Sequence, residues 1–188
     1  RALMRSLAPS SFEDVAASAG VADLTRHGEG VSMGSVWGDF DNDGREDLLV
    51  YRYGYLALYK NVDGRHFEDI TAQAGLRRWM NSNGAIWLDY DRDGWPDLYF
   101  TQGGRWPVPE PNAPSDVLFQ NRHGQSFENV TVPAGIREFD YSQGLAVADI
   151  DADGWEDVFV ANVAGNRLFH NNGDGTFSDV TIESGLLS

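Results

Sequence analysis

The sequence contains no cysteine, few basic residues and no long apolar run. Without cysteine the chain forms neither disulfide bonds nor thiolate metal sites, although this leaves its compartment open. The chain has 14 basic and 29 acidic residues. The resulting formal net charge of −15 argues against nucleic acid and anionic membrane surfaces as partners. No apolar segment approaches the roughly 18 residues of a membrane-spanning helix, so we expect no insertion into a membrane.

Two phrases recur along the 188 residues, of which 41% are hydrophobic and sufficient for a buried core. One phrase opens on phenylalanine and ends on Ala-Gly or Ser-Gly; the other is rich in aspartate. A glycine precedes each aspartate phrase by five positions, and an asparagine precedes each later phenylalanine by six. The phenylalanines are Phe12, Phe67, Phe127 and Phe177, and the aspartate phrases begin at Asp39, Asp89 and Asp149. Such a repeat is a stronger guide to the fold than local propensity.

Each repeat predicts four short strands. The first runs into the aspartate phrase, and the second leaves it as a continuous apolar run, typical of a strand covered on both faces. The third ends at the asparagine and turns through a glycine-containing hairpin into the fourth, which begins at the phenylalanine. Four antiparallel strands per unit of about 40–50 residues are typical of a propeller blade. The sequence therefore predicts an all-β chain of β-propeller blades.

We predict three four-stranded antiparallel blades and an orphan N-terminal strand, as part of a larger propeller, because known rings use about 4–8 blades. The predicted division is a leader or linker remnant at 1–11, the outer strand of an incomplete blade with its connector at 12–30, and blades at 31–75, 76–135 and 136–188. The second blade carries a proline-rich insertion at 101–114 with Trp106 near its middle. This insertion is either a partner-binding element or a tolerated surface loop.

Each aspartate phrase places Asp at positions 1, 3, 5 and 9 and Gly at position 6. Alternating carboxylates on a tightly curled loop point to one centre, and the glycine permits the turn. As in other calcium loops, position 7 is expected to contribute its backbone carbonyl. The predicted ligands are Asp39, Asp41, Asp43, Arg45 and Asp47; Asp89, Asp91, Asp93, Trp95 and Asp97; and Asp149, Asp151, Asp153, Trp155 and Asp157.

These loops predict three Ca²⁺ ions, one in each loop. Four carboxylates in one loop repel each other unless a cation neutralises them, and hard oxygen ligands of this number suit calcium better than magnesium. An EF-hand and a dockerin-type loop both require an acidic ligand at position 12, which here is Val50, Phe100 or Val160. The alternative is that the aspartates are solvated turn residues.

The loops with their flanking phrases resemble the FG-GAP/VCBS repeats of integrin α-subunit propellers and of many secreted bacterial proteins. The phenylalanine phrase is most similar to propellers of the ASPIC/UnbV type, and the resemblance covers about residues 12–186. It implies a propeller with calcium bound between the first two strands of each blade. It also implies an extracellular or periplasmic location.

Three functional hypotheses follow. The first is a secreted, non-enzymatic module for protein or ligand recognition, or a structural unit, whose partners are other blades of a larger chain or other subunits. The second is a propeller domain of, or accessory to, a secreted enzyme such as a polysaccharide-acting lyase, although the four histidines share no catalytic motif. The third is a subunit of a larger assembly with the Trp106 loop in an interface. Fold alone does not choose among them.

Overall fold

The computed structural model describes residues 3–8, 11–22, 28–103 and 116–186 of the chain, with the side chains of residues 7 and 8 left out. Its described regular elements are all strands. They are β1 (Met4–Ala8), β2 (Ser11–Asp14), β3 (Gly30–Gly38), β4 (Asp47–Tyr55), β5 (Ala57–Asn61), β6 (Phe67–Asp69), β7 (Trp79–Leu88), β8 (Asp97–Gln102), β9 (Val117–Asn121), β10 (Phe127–Asn129), β11 (Ser142–Ala148), β12 (Asp157–Asn162), β13 (Arg167–Asn171) and β14 (Phe177–Asp179).

The strands form three antiparallel blades of four strands each. Blade one is β3–β6, blade two is β7–β10 and blade three is β11–β14, and in each blade consecutive strands are paired. The far end of β4 also pairs with the start of β7, where Tyr53 lies opposite Asn81, so blades one and two share a continuous sheet edge. The predicted all-β fold of propeller blades is confirmed.

The N-terminal segment differs from the prediction of a leader remnant followed by an orphan strand. In the structure β1 pairs with β2, with Arg5 opposite Glu13 and Ser6 opposite Phe12. The third and fourth strands of blade one pair in the same way, with Lys60 opposite Glu68. This pairing could not be predicted from the repeat, because Ser6 stands where the other third strands end in asparagine.

The proline-rich insertion predicted at 101–114 falls mostly outside the described residues. Residues 101–103 continue the end of β8, and the description resumes at Asp116, directly before β9. Trp106 and its proposed contact with a partner therefore stay a prediction.

Three apolar clusters lie between successive units. The first joins the β1–β2 segment to blade one, the second joins blades one and two, and the third joins blades two and three. The second strands of blades one and two each supply both neighbouring clusters, because successive side chains point to opposite faces. In β4, Leu49 belongs to the cluster with blade two, whereas Leu48 and Val50 belong to the cluster with the N-terminal unit. This explains why these strands read as continuous apolar runs.

In blades two and three, the asparagine that ends the third strand ties its blade to the blade before it. Asn121 Nδ2 donates to the carbonyl oxygen of Phe40 in blade one at 2.7 Å and to that of Pro96 at 2.9 Å. Asn171 repeats the bond one blade later, to the carbonyl oxygen of Tyr90 at 2.8 Å. Both amides are buried, so each satisfies a backbone acceptor that would otherwise be costly.

This bond predicts that Asn121→Ala destabilises the protein more than Asn61→Ala. The described partners of the Asn61 side chain all lie in blade one, at the Glu46 carbonyl and the Gly64 amide. Because Asn121→Ala also strands the buried Phe40 carbonyl, its free energy of unfolding should fall by about 1–3 kcal/mol more. Urea unfolding followed by tryptophan fluorescence measures the difference. Equal losses in the two variants would show that the asparagine acts only within its own blade.

Candidate metal centres

The three aspartate loops connect the first and second strands at the same end of each blade. We call them loop one (39–47), loop two (89–97) and loop three (149–157). Two positions in each loop adopt left-handed backbone, namely position 4 and the glycine at position 6. They are Asn42 (φ 53°) and Gly44 (83°), Arg92 (56°) and Gly94 (84°), and Ala152 (63°) and Gly154 (94°). The sequence indicated the glycine but gave no sign of position 4.

Backbone amides curl each loop around its own carboxylates. The carboxylate at position 1 accepts the N–H of the glycine at position 6, with N···O distances of 2.8, 3.1 and 2.9 Å along the chain. The carboxylate at position 5 accepts the N–H of position 7, at 3.0, 2.9 and 2.8 Å. These bonds fix the orientation of the carboxylates before any ion binds, which lowers the ordering cost of binding.

The structure brings three of the four predicted aspartates of each loop together. In each group one carboxylate oxygen per residue lies within 4.8 Å of the others: Asp39, Asp41 and Asp43; Asp89, Asp91 and Asp97; and Asp149, Asp151 and Asp157. The fourth predicted aspartate of each loop lies outside its group, and Asp153 instead groups with Asp151 and His170. Ligation by the carbonyls of Arg45, Trp95 and Trp155 stays a prediction.

The aspartate at position 9 is at most 1% exposed in all three loops. In loop two, Asp97 accepts the N–H of Tyr90 at 3.2 Å and that of Asn121 at 2.7 Å. Burial nevertheless raises the pKa of Asp97 to about 8 and that of Asp47 to about 6, because an ionised carboxylate loses its hydration there. A cation in the loop would offset this loss.

The donor set fits a hard divalent cation. Asp41 Oδ1 and Asp89 Oδ1 are buried and have no hydrogen-bond donor. A buried carboxylate oxygen without a donor is costly, and coordination to a metal ion removes that cost. The predicted ligands are all oxygen atoms, which calcium prefers.

A further side chain reaches each loop from the third strand, at the position before the asparagine. The ammonium of Lys60 contacts a carboxylate oxygen of Asp41, and this hydrogen bond raises the pKa of Lys60 above its ordinary value. Gln120 Nε2 lies 2.5 Å from Asp91 Oδ2. His170 Nδ1 lies 3.1 Å from the Asp157 carboxylate. Sequence reasoning missed all three, although their fixed spacing before the asparagine was visible.

A second group of buried acids lies outside the loops, where β8 and β9 are connected. Asp116 accepts the N–H of Gln102 at 2.8 Å and the hydroxyl of Tyr99 at 3.2 Å. Burial raises its pKa to about 7. Nearby, the buried Glu138 carboxylate lies 3.2 Å from Arg167 Nε. No motif marks these residues, so the sequence did not single them out.

A family model for FG-GAP-like repeats matches residues 39–100 and 149–187, more than half of the chain. The chain belongs to this family. The matched segments contain all three aspartate loops, and the predicted relationship is thereby confirmed. Within the described residues, no helix is long and apolar enough to cross a membrane.

Individual relatives match parts of the chain. It is 36% identical to human cartilage acidic protein 1 over 62 residues, which are 32% of this chain and 9% of that protein. The chain therefore spans less than a tenth of this relative. A solved structure of an Agrocybe aegerita lectin, described as specifically recognising non-reducing terminal N-acetylglucosamine, aligns with a TM-score of 0.50 at 18% identity. It covers 79% of this chain and 38% of the lectin chain, and it shows similarity of fold.

The raised pKa of Asp116 predicts a pH dependence of stability. Between the ordinary value of 3.8 and about 7, the folded state holds a proton that the unfolded state has released. The free energy of unfolding should therefore fall as pH rises through this range. In Asp116→Asn this contribution is absent. The free energy of unfolding, measured by urea unfolding at pH 5 and pH 7.5, should therefore fall less between these two pH values than in wild type. Glu13→Gln, which changes an exposed glutamate, serves as the control. The same pH dependence of the free energy of unfolding in wild type and in Asp116→Asn would contradict the prediction.

Proposed function

We propose that this chain is a calcium-stabilised propeller module that acts in an extracellular or periplasmic setting, either in recognition of a protein or other ligand or as a structural unit. The observation that carries the proposal is the recurrence of one carboxylate group at the same end of three blades. A single acidic cluster is ordinary on a protein surface. Three clusters in equivalent loops, two of which include the buried position-9 aspartate, support a shared requirement for a cation.

Calcium is the ion that this donor set favours. Calcium accepts six to eight oxygen ligands in flexible geometry, whereas magnesium demands a near-ideal octahedron and usually keeps several waters. The residues that would hold the three ions are the fifteen predicted above, with the position-9 aspartates also bonded to the backbone. A bound ion would supply the positive charge that the clustered carboxylates require. It would also hold the first strand of each blade to the second.

The proposed setting outside the cytoplasm would supply the calcium that such sites need. Calcium sites of extracellular modules have dissociation constants of about 10⁻⁴–10⁻³ M, which suffices only where calcium is plentiful. The absence of cysteine is compatible with an oxidising compartment. Release of the native protein into the medium or periplasm, by fractionation of its source cells, is the direct check.

Recognition would use loops held rigid by the blades, since binding residues concentrate on loops positioned by a scaffold. The connection between β8 and β9 includes the Trp106 segment, which we propose as a contact with other subunits or blades. The alternative is a propeller domain of, or accessory to, a secreted enzyme. Turnover of polysaccharide by the isolated chain would favour that alternative.

Removal of calcium should lower the melting temperature by many degrees. A site held at about 100 times its dissociation constant adds about 2.7 kcal/mol, and a domain of this size gains roughly 2–4 °C per kcal/mol. Each site should therefore contribute roughly 5–10 °C, to be measured by calorimetry in excess EDTA and after calcium is restored. An unchanged melting curve in EDTA would rule out the structural role of calcium.

Single substitutions should identify the ligands. Asp91→Ala should remove one ion and leave the others bound, because each ion belongs to one loop. Asp63→Ala is the control, since Asp63 is an exposed aspartate in the β5–β6 turn. Calcium content by elemental analysis separates the two. Equal loss from both variants would mean that the ligands are misassigned.

A further inference from the structure

The only lysine of the chain, Lys60, contacts loop one. Lys60 projects from β5 so that its ammonium contacts Asp41 Oδ2 and lies 3.4 Å from Asp43 Oδ2. Both of these aspartates belong to the carboxylate group of that loop. The ammonium therefore already occupies space between two predicted calcium ligands.

A second cation reinforces the first. Arg45 Nη2 contacts Asp43 Oδ2, and its Nε donates to the carbonyl oxygen of Asn61 at 2.9 Å. The guanidinium is thus held in place by the end of β5 as well as by the carboxylate. Within loop one, Lys60 and Arg45 together supply two positive charges to the four aspartates.

Among the described residues, no lysine or arginine forms an ion pair with an aspartate of loop two or loop three. At the position of Lys60, loop two has the neutral amide of Gln120, and no aspartate of loop two forms an ion pair with any described residue. The guanidinium of Arg92, although part of loop two, lies over the ring of Trp155 at 5.3 Å. Loop three has the imidazole of His170. The three loops therefore share their aspartates but differ in the charge that faces them.

We propose that Lys60 is a built-in cation that competes with calcium, so that loop one fills last. The inference rests on the proposed function, because it ranks sites that must first bind calcium. An ion entering loop one must displace the ammonium from Asp41 and meets the repulsion of Arg45. A unit charge removed from about 4 Å changes the binding free energy enough for a difference of about tenfold or more. Blade one would keep its loop neutralised when calcium is scarce.

Exchange of the side chains at positions 60 and 120 tests the predicted order of calcium affinities. Lys60→Gln places beside loop one the residue type that lies beside loop two. The dissociation constant of the weakest calcium site of the protein should then fall by about tenfold or more. Gln120→Lys should weaken one of the tight sites by a similar factor. Isothermal titration calorimetry gives the dissociation constants, and native mass spectrometry counts the ions. Circular dichroism checks that each variant is folded.

Arg5→Gln is the matched control. Arg5 holds the equivalent position in β1, opposite Glu13 as Lys60 is opposite Glu68, and its side chain pairs with Glu13. The substitution removes the same charge without touching an aspartate loop. It should leave all calcium affinities within about twofold of wild type, since exposed charges at a distance are screened.

Because the lysine is unique, wild-type protein gives an independent readout. Protein labelled with ¹³C-lysine has one set of lysine signals, and the Cε resonance reports the surroundings of the ammonium. This resonance should stay in place while the tight sites fill and shift only as the weak site fills. The measurement does not depend on the folding of any variant.

The outcomes separate the two proposals. Three equal affinities in wild type, no effect of Lys60→Gln beyond that of Arg5→Gln, or a lysine signal that moves with the first ion would overturn the inference while calcium binding stands. No calcium bound by wild type or by Lys60→Gln would overturn the proposed function itself.

Discussion

The buried aspartate at the ninth loop position is the interaction on which the rest of the structure depends. One of its oxygens accepts the backbone N–H of the second loop residue, and the other accepts the backbone N–H of the asparagine that ends the third strand. In blade three these donors to Asp157 are Ile150 and Asn171. It thus joins the first, second and third strands of a blade at one point. Because the same carboxylate is fully buried, its ionised form is costly unless a positive charge lies nearby. One side chain therefore serves the fold of the blade and would also favour the proposed cation.

The side chain before the asparagine explains how repeats with the same ligands can differ in chemistry. The aspartates are common to all three loops, so a comparison of ligands alone would treat the loops as equal. Lys60, Gln120 and His170 face them from the same place with an ammonium, an amide and an imidazole. If the loops bind calcium as proposed, a residue outside the predicted ligand set would adjust how strongly each loop attracts an ion.

Much of the fold could be predicted from the sequence because the repeated phrases mark the strands and turns of each blade. The alternation of Leu48, Leu49 and Val50 between two clusters follows from continuous apolar runs beside a recurring turn. The pairing of β1 was not predicted, since Ser6 stands where the other third strands have the asparagine, although the backbone pairs without that side chain. The positive φ of Arg92 escaped for a related reason, because no glycine marks that position.

The candidate site was predicted as a set of ligands but not as an electrostatic environment. Spacing along a strand tells which side chains share a face, and it does not tell which loop they reach. The contact between Lys60 and Asp41 joins the end of β5 to loop one, which precedes β4, so only the folded blade reveals it. Asp116 likewise owes its hydrogen bonds to Tyr99 and Gln102, two residues of β8. Such properties arise from packing and leave no local pattern.

The asparagine bond between blades has a consequence for how such chains grow. Blade two presents a side-chain amide towards the unit before it and a loop carbonyl towards the unit after it, through Asn121 and Tyr90. A blade of this kind is complementary to its own copies from head to tail. Duplication of one coding unit would add a blade that already matches both neighbours, with no new interface to evolve. Arrays of different length can arise in this way while every junction stays the same.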